Sequence, residues 1–336
     1  MRSNSKNANT EAPVVKGLQN YKEIRELGRG AAGSVSLVQC LSGENKDKLY
    51  ALKKISLIAL GPKETKMAEN EVQLLKVLVG PTIIRYYDSF SNKESISIIM
   101  EYADGGNLSD RIKKMSEDGK KLGKDLALDW MAQITLGIMI MHIKKILHRD
   151  IKTQNMFLVK MNGEEVVKIG DFGISKELGT ISDMAKTSCG TPYFMSPEVV
   201  RGEPYNSKSD MWALGCVLYE LATFAKPFDS NTVSGLYEQI KCKEFAPLPS
   251  DTDPVIRVII STLLNKDPNK RPSVWEFARL PEIMKRINAF VERHNCFDMV
   301  AHVLQVEQKS NKNAANAKMV KEEEKGSRGL QLNYER

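Results

Sequence analysis

Apolar and polar positions first fall into order near Tyr21. Ile24 and Leu27 lead into the stretch Gly28-Arg29-Gly30-Ala31-Ala32-Gly33-Ser34-Val35, and Val35-Ser36-Leu37-Val38-Gln39-Cys40 follows with the alternation of a strand. Leu49–Ile55 reads as a third strand. A helix is expected over about 64–77, with Met67, Val72, Leu74 and Leu75 as its apolar positions, and two further strands over 83–87 and 95–100. From Asn107 the period becomes helical. Leu126 to Ile143 is apolar on nearly every side, which marks a helix buried in a sizeable domain. Met156–Val159 and Val166–Ile169 read as a hairpin turning at Asn162-Gly163. Ser209–Leu221 is another mostly apolar helix, 265–273 a turn, and Ile283, Ile287, Phe290 and Val291 carry helical packing to about residue 304. Residues 1–17 form a polar leader without apolar period, and 307–336 a polar tail without sustained heptads; both are expected to be disordered.

Composition narrows the classes little. A 336-residue chain with 42% hydrophobic and 27% charged residues is ordinary for a globular protein. The net charge of +7 is dispersed: residues 1–20 hold three basic groups against one acid, and 306–336 hold seven against five. A nucleic-acid surface calls for a clustered basic face, so no nucleic-acid partner is expected. Five cysteines at 40, 189, 216, 242 and 296 have no paired metal-type spacing and read as free thiols of a reducing compartment. No signal peptide or apolar run of membrane-spanning length stands out, and Arg2 rules out myristoylation at that position. Nothing indicates an oligomer.

The chemistry concentrates in His148-Arg149-Asp150-Ile151-Lys152-Thr153-Gln154-Asn155, followed by Asp171-Phe172-Gly173. Asp150 can take the proton of an attacking hydroxyl. Asn155 and Asp171 can hold Mg²⁺ against a triphosphate, and Lys152 can lie beside the phosphate in transfer. The glycine stretch alone is ambiguous, since a flexible turn or a dinucleotide-binding unit begins the same way. The latter needs a helix after the third glycine, and here a strand follows. A hairpin of that kind can fold over phosphates, with Val35 as a lid over a flat base. Ala51 is small, as a base pocket requires, and Lys53 shares its strand face. A buried lysine needs a counter-charge. Glu71 is preferred over Glu64 and Glu69 because Val72 and Leu75 put its side of the helix near the core. Met100 would back the base pocket, Glu101 and Ala103 would present hinge backbone to it, and Phe157 would form its lower wall.

Taken together, the chain resembles eukaryotic protein kinases over about residues 21–290, on Gly28–Val35, Ala51-Leu52-Lys53, Glu71, His148–Asn155, Asp171–Gly173, Ser196-Pro197-Glu198, Asp210 and Arg271. Lys152 with Gly190-Thr191 is similar to the serine/threonine branch. Arg85–Phe90, Leu147–Asn155, Lys186-Thr187, Trp212–Cys216 and Lys226-Pro227-Phe228 resemble the NIMA-related kinases. Leu52 stands for the usual isoleucine and Ser196 for alanine; residues 61–64 and 81–82 are atypical, and the long coiled-coil tail of many members is not expected from residues 307–336.

The resemblance implies an α+β, bilobal fold. An antiparallel-sheet lobe with one key helix (21–101) would join through a hinge (101–106) to a larger helical lobe (107–290), with a helical extension over 291–306. It further implies transfer of the γ-phosphoryl of MgATP to serine or threonine of protein substrates. Asp150 would act on the hydroxyl, Lys53 on the α- and β-phosphates, and Thr191 would brace Asp150 and Lys152. Glu198 with Arg271 would be a buried structural pair. Phosphorylation of Thr187, by the protein itself or an upstream enzyme, would be sensed by Arg149, with Ser188 and Thr180 as alternatives. Family likeness points to a cytoplasmic place, with the cytoskeleton, centrosome or cilium as the expected sites of association. An inactive kinase-fold scaffold is the rival reading; such proteins usually lack one of the lysine, catalytic aspartate or metal aspartate, and all three are present here. A small-molecule kinase would not be expected to carry the 190–198 segment, which the resemblance implies docks the peptide substrate.

Overall fold

The computed structural model describes residues 17–30, 33–58, 60–171 and 192–303. Five strands form one antiparallel sheet: β1 (Tyr21–Gly30), β2 (Gly33–Cys40), β3 (Leu49–Ser56), β4 (Tyr86–Ser91) and β5 (Ser95–Glu101), in the order β1-β2-β3-β5-β4. The helix α1 (Pro62–Val77) lies between β3 and β4 in sequence and begins with proline at its first turn, where the missing N–H leaves nothing unpaired. One face of α1, with Ala68, Glu71, Val72 and Leu75, is buried.

The strand expected over 83–87 instead runs from Tyr86 to Ser91. Ile83 and Ile84 are apolar for another reason: they cross toward the second half of the chain. The Ile84 N–H donates to the Ile169 carbonyl at 2.9 Å, and the Ile169 N–H donates to the Thr82 carbonyl at 2.9 Å. Both isoleucines are buried. Two adjacent isoleucines fit a joint between layers as well as a strand, and periodicity does not separate the two.

The remaining helices are α2 (Leu108–Glu117), α3 (Lys124–Ile143), α4 (Pro197–Val200), α5 (Ser207–Thr223), α6 (Val233–Cys242), α7 (Pro254–Leu263), α8 (Val274–Ala278) and α9 (Pro281–Arg293). Their starts are legible in side chains. The Asn107 side chain accepts from the Asp110 N–H at the head of α2, while Asn206 with Ser209 and Ser273 with Glu276 form reciprocal capping boxes on α5 and α8. Residues 297–303 add a further helical stretch.

α3 is the buried helix expected over 126–143, and it corrects the expectation that no apolar run reaches membrane-spanning length. It is long and apolar enough to cross a membrane by length and composition, but 78% of its most apolar window is buried inside the fold. It is the central core helix, and with α5 it carries the largest share of buried side chains. Between them, the two-stranded sheet of β6 (Met156–Met161) and β7 (Glu164–Ile169) turns at Asn162 and Gly163. Their φ angles of 52° and 82° are the left-handed pair that a two-residue hairpin turn needs.

Candidate active site

The sheet presents two rows of side chains across its strands. Val35 of β2 pairs with Lys53 of β3, which pairs with Ile98 of β5; Leu37, Ala51 and Met100 form the next row. Side chains opposite one another share a face, so Val35, Ala51, Lys53 and Met100 lie on one surface. The glycines flanking it serve different ends. A Cβ on Gly28 or Gly30 would meet nothing within 4 Å, so these two leave open space. Gly33 has φ 145°, and a Cβ there would lie 1.9 Å from the Lys54 carbonyl oxygen; it is required by the β2–β3 pairing itself. Arg29 turns its guanidinium back to Glu26 at 2.6 Å on the exposed side of β1, so it can serve the site through backbone alone. Ser34 is half-buried beside Gly33.

Lys53 is held between two carboxylates, with Nζ 3.1 Å from Glu71 Oε1 and 3.2 Å from Asp171 Oδ1. Burial alone would lower its pKa, but Asp171 and Glu71 outweigh that and hold it above the ordinary lysine value, so the ammonium is charged at any physiological pH. Glu64 and Glu69 are exposed. Glu71 is 4% exposed, so the helix-face argument selected the partner the structure supplies.

Asp150 lies between the amide of Asn155 and the ammonium of Lys152. Asn155 Nδ2 donates to the Asp150 carbonyl at 2.8 Å and to its Oδ2 at 2.9 Å, and Lys152 Nζ lies 2.9 Å from the same Oδ2. With its nitrogen engaged by Asp150, Asn155 offers its carbonyl oxygen as a ligand atom. That oxygen and the half-exposed Asp171 carboxylate make an oxygen donor pair of the kind Mg²⁺ prefers. Asn155 Nδ2 also comes within 3.5 Å of the Asp171 carbonyl, so the two residues are neighbours. Among the described residues no three His, Cys, Asp or Glu side chains gather as a self-contained metal cage. Two protein ligands completed by phosphates and water suit Mg²⁺, so the residues present fit that ion.

The loop that carries Asp150 is strained. Arg149 has φ 66° and Asp171 φ 48°, left-handed values that are uncommon outside glycine. Asp210, at 0% exposure near the start of α5, over-determines the first of these. It accepts from the backbone N–H groups of His148 and Arg149, both at 3.2 Å, from the Tyr205 hydroxyl at 2.5 Å, and lies 2.7 Å from His142 Nε2. Burial would raise its pKa, but His142 and Tyr205 hold it below the ordinary carboxylate range. Its position near the head of α5 invites a cap reading. Asn206 is the cap there, and the N–H groups Asp210 accepts belong to the distant loop. His148 Nδ1 accepts the Asp150 N–H at 3.2 Å, which places its proton on Nε2 for the Gly170 carbonyl at 3.2 Å.

The hinge end of the site is tied from below. Glu101 accepts from Lys168 of β7 at 2.7 Å and 3.0 Å, and from the Arg85 N–H at 3.1 Å. Its carboxylate therefore joins the two halves and is taken up by these contacts, which leaves backbone as the part of Glu101 that could serve a base. Ala103 is half-buried in the segment that follows. Phe157 on β6 is half-buried, bridges to Asn107, and packs against Gly170, where a Cβ would sit 2.9 Å from its ring.

The family model described as the protein kinase domain matches residues 21–283. The chain belongs to the protein kinase family. It is 43% identical over 259 residues to the serine/threonine-protein kinase Nek8 of Danio rerio, covering 77% of this chain and 36% of that protein. Over 267 residues it is 40% identical to the probable serine/threonine-protein kinase nek3 of Dictyostelium discoideum, covering 79% and 24%. It is 37% identical over 287 residues to the human serine/threonine-protein kinase Nek5, covering 85% and 40%. The Nek name is that of the NIMA-related group expected from the catalytic-loop and α5 motifs. The chain spans less than half the length of these curated relatives.

In this kinase, Glu198 and Arg271 form the expected buried pair. Arg271 donates through both terminal nitrogens to Glu198 at 2.8 Å, and its guanidinium carbon stacks 4.9 Å from the Trp212 ring centroid. Ala31, Ala32, Phe172, Gly173, Thr187 and Thr191 lie outside the described residues. Sequence reasoning missed Lys168, His142 and Tyr205 as parts of the site. Lys168 had a signal, being a lysine within an apolar β-run; the others looked like ordinary helix or loop residues.

Proposed function

We propose that this kinase transfers the γ-phosphoryl group of ATP to serine or threonine hydroxyls of protein substrates. The observation that carries the reading is the convergence of two charged sets on one cleft: Lys53 between Glu71 and Asp171, and Asp150 between Lys152 and Asn155. Asp150 orients the incoming hydroxyl and accepts its proton, and Lys152 balances charge gathering on the phosphoryl oxygens. Lys53 holds the α- and β-phosphates, with its ammonium aimed by Glu71. Asp171 and the Asn155 carbonyl oxygen would hold Mg²⁺, which when bound would supply positive charge against the triphosphate. Most of the rate comes from positioning and fixed charge. Support for serine and threonine as acceptors is that the Nek relatives are named serine/threonine-protein kinases, together with Lys152 in the loop.

Activation by a phosphate on Thr187, sensed by Arg149, belongs to the same reading. Arg149 is half-buried and immediately precedes the proton acceptor, so a phosphate paired with it would act on the catalytic loop directly. The test is incubation of the protein with MgATP and casein, followed by phosphoamino-acid analysis. Phosphoserine and phosphothreonine are expected. Phosphotyrosine alone, or no transfer after pre-incubation with an activating kinase, would overturn the assignment.

A further inference from the structure

Glu220 of α5 is a carboxylate at 6% exposure, away from the phosphate-binding groups. A buried carboxylate needs partners, and it has two from different parts of the chain. The Thr153 hydroxyl donates to Glu220 Oε2 at 2.9 Å, and the Lys226 ammonium is bonded to Oε1. Thr153 is fully buried and opens the 3-10 turn Thr153–Asn155, between Lys152 and Asn155. On its other side, the Lys226 ammonium lies 4.6 Å from the Phe194 ring centroid and 5.9 Å from that of Tyr193. A cation at such distances is held by the ring faces. These rings lie in the segment just before Ser196-Pro197-Glu198, which the kinase reading assigns to peptide docking.

A continuous set of contacts therefore runs from the docking segment through Lys226 and Glu220 to Thr153 in the catalytic loop. We propose that Lys226 is a positioning residue that, through Glu220, couples the seating of the protein substrate to the placement of Lys152 and Asn155. It also neutralises Glu220, so this carboxylate is not a subsite for a basic substrate side chain. The inference rests on the kinase reading above.

The test is steady-state kinetics on a serine peptide for the parent, Lys226→Met, Lys226→Arg and the double variant Lys226→Met/Glu220→Gln. Peptide is varied at saturating MgATP and MgATP at fixed peptide, with thermal melts alongside. Coupling predicts that Lys226→Met raises the peptide KM about tenfold and lowers kcat severalfold, while the MgATP KM stays within about twofold. Lys226→Arg, which keeps the charge, restores most of both. The double variant leaves no uncompensated buried carboxylate, so it reports even where Lys226→Met alone fails to fold, and it stays impaired for peptide. A double variant with the parent's peptide KM and kcat would mean that Lys226 only neutralises Glu220, and overturns the coupling. An active parent with unaltered variants overturns this inference alone, whereas a parent that transfers to no peptide overturns the kinase reading and this inference with it.

Discussion

Arg149 holds a backbone angle of 66° in the loop that presents the proton acceptor, and Asp210 fixes it with two N–H bonds. A left-handed non-glycine residue costs about 1–3 kcal/mol and persists only when its surroundings over-determine it. Replacing Asp210 by alanine leaves His142, Tyr205 and both N–H groups without their shared acceptor. Asp210→Ala is predicted to lower unfolding free energy by about 3–5 kcal/mol, read from urea midpoints at unchanged m; a loss below about 1 kcal/mol would contradict this role. The histidines give a pH signature. Burial lowers the pKa of His148, against the pull of Asp210 and Asp150, and burial lowers that of His294 as well. A base with a lowered folded pKa contributes stability that is complete above its unfolded value near 6.5 and erodes as pH falls below it. The urea midpoint should therefore fall between about pH 7 and 5.5, with a shallower fall in His294→Gln, which sits outside the cleft. A midpoint flat across that window would refute the assignment.

Among the elements, the glycine hairpin separates structure from function most cleanly. Gly33→Ala places a Cβ 1.9 Å from the Lys54 carbonyl at φ 145°, whereas Gly30→Ala enters open space. The first is predicted to destabilise the sheet by about 1–3 kcal/mol or more. The second should change thermal stability by less than about 0.5 kcal/mol and raise the MgATP KM instead. Equal melting losses in both would show that the two glycines do the same work. Strand, glycine loop and strand were legible because period-two alternation resumes at Val35 with no helical pattern between. The Asn162-Gly163 turn was legible because that pair supplies the two left-handed residues the hairpin requires. The strand expected over 83–87 was misplaced because Ile83 and Ile84 are apolar for the contact with Ile169, which lies far along the chain. α3 was legible as a buried helix because it is apolar on nearly every side; its length and composition would also suit a membrane, and the packing around it places it in the core.

At the scale of the molecule, the parts of the site that sequence could not show are those whose partners are remote. Lys168 and Glu101 are 67 residues apart and join the two halves below the base; Asp210 reaches His148 across 62. Glu71 could be chosen in advance because helix periodicity put it on the buried face beside a strand lysine. The Glu198–Arg271 pair, 73 residues apart, ties the docking side to the last turn before α8. Arg271→Met strands a fully buried carboxylate and is predicted to cost about 3–5 kcal/mol, checked by chemical denaturation; a variant as stable as the parent would exclude it as a structural tie. Thr187→Ala is expected to lower turnover with the melting temperature unchanged, and equal turnover after pre-incubation with MgATP would remove Thr187 as the activating position. The central claim is that Asp150 accepts the hydroxyl proton in a cleft built for MgATP. The most direct measurement is kcat for Asp150→Asn at saturating MgATP and peptide. A fall of about a hundredfold or more, with the MgATP dissociation constant unchanged, is the predicted result; a kcat equal to the parent's would contradict it.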